Sequence, residues 1–143
     1  MIFSGCSTVN KGAEKIQPPD KFNACFVSGD FEGTISFDYM DKTELVFSKP
    51  DSVKGLVLTL ENNKITSKYA DMFFSSDVTQ TSIIYTLNNV ISDIILNNQS
   101  LSATEENGLL KRTGKEYTAY QNKESGLITK IICGKHEIRF IQK

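Results

Sequence analysis

Nine stretches of this chain set oily side chains against polar ones with a period of two, and one stretch breaks to spacings of three and four. The clearest of the nine is Phe31, Gly33, Ile35, Phe37 and Tyr39, alternating with Glu32, Thr34, Ser36 and Asp38. Successive side chains of a strand face opposite ways, so this segment is a strand with one buried and one wet face. Residues 22–28, 43–48, 56–61 and 64–69 complete a first set of strands. Residues 109–113, 116–121, 127–133 and 136–142 form a second. Gly29-Asp30, Asp41-Lys42, Asn62-Asn63, Gly114-Lys115 and Gly134-Lys135 read as tight turns between them. Two-residue connections require antiparallel neighbours, and Asn tolerates the positive φ such turns demand.

The exception lies between the two sets. Ile83, Ile84, Leu87, Val90, Ile91, Ile94 and Ile95 recur at helical spacing and give one broad apolar stripe, opposite Thr86, Asn88, Asn89, Ser92 and Asp93. Ser76 or Asp77 is the expected cap, and residues 97–107 read as a polar loop. Isoleucine-rich stripes have slightly lowered helix propensity, so packing must hold this helix, and a sheet is the available surface. A helix of about eighteen residues is only about 27 Å long. It does not cover a flat nine-stranded sheet, so the sheet must curl around it. The expected fold is α+β but mainly β: a strongly curved antiparallel sheet of about nine strands, an unclosed half-barrel, with one amphipathic helix in or across its concave face.

The amino-terminal residues have a different character. Met1-Ile2-Phe3-Ser4-Gly5-Cys6-Ser7 places two small residues before a cysteine, after an apolar one, and resembles the bacterial lipobox. That resemblance implies lipidation of Cys6, a membrane anchor, and a location on the outer face of the cytoplasmic membrane. The stretch that follows is polar, aperiodic and ends in Pro18-Pro19-Asp20, so it reads as a flexible tether. The expected organisation is therefore residues 1–6 as lipobox, 7–21 as tether and 22–143 as the β domain. Cys25 and Cys133 fall in the first strand and one of the last. A disulfide formed outside the cytoplasm and two buried free thiols both remain open.

Several chemistries find no support. The net charge is −1, and only Arg112 and Arg139 among the sixteen basic residues are arginines, so no basic face for nucleic acid is expected. The three cysteines lack CxxC spacing, which removes a structural zinc site. Asp38, Asp41 and Glu44 surround a turn without the spaced pattern of a calcium loop. Gly29, Gly33 and Gly55 make no phosphate loop. His136, the single histidine, sits beside a hairpin turn with no nucleophile paired to it by spacing. The sequence therefore predicts no enzyme, no metal and no cofactor.

One run of elements carries a family resemblance. Phe31-Glu32-Gly33-Thr34-Ile35-Ser36-Phe37 is followed by Leu45-Val46-Phe47-Ser48, a break at Lys49-Pro50-Asp51-Ser52, and Val53-Lys54-Gly55-Leu56. A strand ending in Tyr69, an apolar helix, and a closing hairpin with Glu124-Ser125-Gly126-Leu127 come after it. Over residues 22–142 this order resembles the LolA-like lipoprotein carriers, most of all small lipid-anchored members from Firmicutes. The resemblance implies an apolar cavity, filled in the carriers by acyl chains, between a curved sheet and a helical lid. A shuttle must diffuse and an anchored domain does not, so transport between two membranes is not expected here. The expected function is binding of a lipid, acyl chain or apolar peptide, with Ile35, Phe37, Phe47, Leu58, Leu87, Ile91 and Ile94 as lining candidates. The alternative is an envelope structural or sensing protein that acts through protein contacts, in which those seven residues fill a core.

Overall fold

In the computed structural model, which describes residues 15–77 and 83–142, the alternating stretches form one antiparallel sheet. Its first half is a meander: β1 (Lys21–Ser28), β2 (Phe31–Asp38), β3 (Thr43–Lys49), β4 (Val57–Glu61), β5 (Lys64–Tyr69) and β6 (Met72–Asp77). The helix α1 (Ile83–Leu96) follows. The second half runs β7 (Ser102–Glu106), β8 (Leu109–Thr113), β9 (Thr118–Asn122), β10 (Ile128–Cys133) and β11 (His136–Gln142). The proline break becomes a short 3-10 turn over Asp51–Val53. Asn62 and Asn63 both take positive φ, at 52° and 62°, as the turn between β4 and β5 requires.

The strand order is β6-β5-β4-β3-β2-β1-β11-β10-β9-β8-β7. The first and last strands therefore pair at the centre, and among the described residues β6 and β7 are the two edges. Laid flat, eleven strands at about 4.8 Å spacing would be roughly 48 Å wide, more than twice the roughly 21 Å of a fourteen-residue helix. The sheet is curved and unclosed, with α1 on its concave face.

Two features depart from expectation. There are eleven strands, not about nine, and the two additions are the edges. In β7 only Ala103 is buried, so the inward alternation that betrays a strand is missing. Polar edges of this kind discourage pairing with other chains. Ser76 and Asp77, the expected caps, are the end of β6, opposite Ile65 and Lys64, and residues 78–82 between them and α1 lie outside the described residues.

The core lies between α1 and the concave face. Ile84, Leu87, Val90, Ile91, Ile94 and Ile95 are buried on the helix, against Phe26, Ile35, Phe37, Leu45, Ile131 and Ile138 of the sheet. Aromatic rings fill the floor, with Phe22–Phe37 and Phe26–Phe47 centroids each 5.5 Å apart. The helix lies nearest β3 and β4, where the buried Thr43 hydroxyl donates to Asn88 Oδ1 at 2.8 Å. That off-centre position leaves its other flank less covered.

Beyond the carboxyl end of α1 the concave face turns polar. Arg112 and Gln121 are fully buried at inward positions of β8 and β9. Arg112 Nη1 donates to Asn98 Oδ1 at 2.9 Å and Gln121 Oε1 at 3.1 Å, and Nη2 donates to the Asn98 carbonyl at 2.7 Å. Residues 15–20, which fall inside the stretch expected as a tether, meet this cluster. The Ile16 carbonyl accepts from Gln121 Nε2 at 2.6 Å and Arg112 Nη1 at 3.4 Å, and Gln17 Nε2 donates to the Ile95 carbonyl at 3.1 Å. Gly126 makes the close approach possible: a Cβ there would stand 2.8 Å from the Gln17 carbonyl oxygen. The lipobox, Cys6 and tether residues 7–14 lie outside the described residues. No helix among the described residues is long and apolar enough to cross a membrane.

Candidate functional site

The less covered flank of α1 borders a cavity of about 540 Å³. The start of α1 gives Ile83 and Thr86, the β2–β3 pair gives Phe31 and Phe47, and the β10–β11 hairpin gives Cys133, His136 and Ile138. Ser28 and Glu116 complete the rim. Phe31 is 42% exposed and stands edge-on to Phe47, with centroids 5.9 Å apart, so an aromatic wall faces solvent at the mouth. The size falls within the roughly 300–1,000 Å³ of small-molecule sites, and the mixture of apolar walls with a few polar groups is their usual composition.

Of the seven lining candidates, Phe47 stands in this cavity. Ile35, Phe37, Leu87, Ile91 and Ile94 are at most 1% exposed and form the seam between helix and sheet, while Leu58 is partly buried against it. The walls not anticipated are Phe31, Ile83, Cys133 and Ile138. Periodicity marked Phe31 and Ile83 as part of apolar faces, but nothing local in the sequence says that they meet Cys133 and Ile138.

A second hollow, of about 610 Å³, continues along the same flank and shares Thr86, Glu116 and Cys133 with the first. Its helix wall is Tyr85, Asn89 and Asp93, which at spacings of four form one stripe. The opposite wall is Lys115, Glu116 and Tyr117, between β8 and β9. Tyr117 is firmly placed. Its ring folds over Gly114, where a Cβ would come within 2.1 Å of the ring, and its hydroxyl donates to Asp93 Oδ2 at 2.7 Å. Asn97 Nδ2 donates to the other carboxylate oxygen at 2.6 Å.

Burial, and then the hydrogen bond to Asp93, push the Tyr117 phenol above its ordinary value near 10. A group whose folded value is raised gives stability that is intact below the unfolded value and lost as pH climbs toward the folded one. The protein is therefore expected to lose stability above about pH 10. In an alkaline phenolate absorbance titration, Tyr117→Phe should remove the last component to appear. An unchanged titration would show that Tyr117 is not held in this way.

Cys25 and Cys133 are both free thiols. Cys25 lies on the convex face opposite Ile141 in β11, whereas Cys133 faces the cavity. Burial, reinforced by the Glu116 carboxylate, pushes the Cys133 thiol up, away from the thiolate form that a nucleophile needs. His136 is exposed at the rim. Among the described residues no group of three His, Cys, Asp or Glu side chains is placed to hold a metal ion. The arrangement is suited to enclosing an apolar molecule with a polar group at one side.

No family model matches the chain, and no curated relative does. Solved structures do resemble it. An uncharacterized conserved protein from Thermus thermophilus is 10% identical, with a TM-score of 0.52 over 83% of this chain and 74% of that one. At that identity the likeness is one of fold. A LolA superfamily protein from Nitrosomonas europaea is 11% identical, with a TM-score of 0.38 over 81% of this chain and 65% of that one.

Proposed function

We propose that this chain is a non-catalytic binding module that holds a lipid, an acyl chain or another apolar ligand between its curved sheet and α1. In this reading it is anchored through a lipid on Cys6 at the outer face of the cytoplasmic membrane. The observation that carries the reading is the cavity of about 540 Å³ walled by Phe31, Phe47, Ile83 and Ile138. A protein acting only through its surface has no need to keep such a volume beside a well-filled seam. The order of strands, proline break and helix that resembles the LolA-like carriers supports the same view. The polar run from Ser7 to Glu14 is the length of chain that would stand between anchor and domain.

Thr86 belongs to both hollows and is half-buried, so Thr86→Trp would obstruct them with little disturbance to the core. The wild type is expected to enhance the fluorescence of N-phenyl-1-naphthylamine, a neutral apolar probe. Thr86→Trp should weaken that binding about tenfold or more, a change of about 1.4 kcal/mol, with an unchanged melting temperature. Absence of probe binding by the wild type, or equal affinity in the variant, would end the proposal. Intact mass of protein taken from its own membrane tests the anchor separately, through an acyl mass on Cys6.

A further inference from the structure

We infer that the ligand is an amphiphile with a hydroxyl-bearing head that carries no negative charge, seated with its tail at the start of α1 and its head against Asp93 and Tyr117. This deepens the proposed function and rests on it. The two hollows share the walls Thr86, Glu116 and Cys133 and so form one trough along the helix. From Ile83 to Asp93 the helix rises about 15 Å. Along that distance the lining changes from aromatic and aliphatic to hydroxyl, amide and charged groups. A purely apolar molecule would leave the second hollow to water. A purely polar one would desolvate nothing in the first.

The head chemistry follows from the polar wall. Asp93 already accepts from Tyr117 and Asn97, one bond on each oxygen, so its charge is engaged. Glu116 and Lys115 carry opposite charges on one wall of the hollow. A carboxylate or phosphate head would meet two carboxylates, Asp93 and Glu116, against the one ammonium of Lys115. Hydroxyl groups suit the wall in both directions. They donate to Glu116 and accept from Lys115 and the Asn89 amide, with Tyr85 able to do either. The fixed Tyr117 ring, held over Gly114, closes the end against which such a head would rest.

Competition against bound N-phenyl-1-naphthylamine tests this with chain-matched ligands below their micellar concentrations at pH 8: 1-decanoylglycerol and decanoate. The glyceryl ester is expected to displace the probe at about a tenth of the concentration that decanoate needs, a difference of about 1.4 kcal/mol. Glu116→Lys should narrow the gap between 1-decanoylglycerol and decanoate, because the wall then favours an anion. If the probe binds and decanoate competes as well as the ester, the head-group inference fails while the binding function stands. If the gap is present but Glu116→Lys leaves it intact, the head does not lie where we place it. If the wild type binds no probe, the function and the inference fall together.

Discussion

Ile91→Asp is expected to leave the protein without a cooperative unfolding transition at pH 7. Ile91 lies in the middle of the helix stripe and is fully buried against the sheet. Its loss forfeits about 2–3 kcal/mol of apolar burial. A carboxylate placed there, without a partner, costs several kcal/mol more. The total is comparable with the whole net stability of a domain, about 5–15 kcal/mol. Part of the loss should be recovered as pH falls, because a buried acid titrates at a raised pH and is then neutral. Ser92→Asp, on the polar side of the same helix, should shift stability by no more than about 0.5 kcal/mol. Circular dichroism during heating separates these outcomes. A normal melt for Ile91→Asp would mean that the helix is not seated on the sheet.

Arg112→Ala is expected to cost about 3–5 kcal/mol, since it orphans several buried acceptors at once. The guanidinium is wholly buried, and among the described residues no carboxylate is paired with it and its Nε finds no partner. Burial pushes its pKa below the ordinary arginine value, yet an arginine remains charged in a protein. It is tolerated because Asn98, Gln121 and the Ile16 carbonyl surround the remaining donors. At a few degrees per kcal/mol for a chain of this size, the melting temperature should fall by roughly 10 °C. Arg112→Lys keeps the charge but not the fork, and should lie between the two. Urea unfolding checks the free energies, and a loss below about 1 kcal/mol would mean that the cluster is not a structural pin.

Much of this architecture was legible because a half-buried antiparallel sheet writes its period into the sequence. Phe22, Ala24 and Phe26, or Leu45 and Phe47, fall inward as their alternation says. The edges were not legible, because an edge strand has little to bury. Asn107-Gly108, with both residues at positive φ, is the strong hairpin signal that marks β7, and the polarity of the flanking residues obscured it. The turn into β6 has no such mark, for Ala70 takes a φ of 53° without a glycine or asparagine. The polar cluster left a subtler trace. Arg112 and Gln121 stand two residues after Leu110 and Ala119, at positions where the pattern asks for apolar side chains. The cavity left none. Its walls come from β2, β3, the helix start and the final hairpin, and only the pairing of β1 with β11 joins them.

That central seam also governs how the molecule can be assembled and damaged. Strands β1 and β11 are the first and last of the sheet in sequence order, so its two halves merge only once β11 has emerged. Late, long-range closure of this kind slows folding. Each half meanwhile exposes a bare, oily ribbon edge. Loss of β11 would not trim a margin, as loss of a final strand does in folds where it lies outermost. It would part the sheet down its middle and leave two half-sheets joined by a helix.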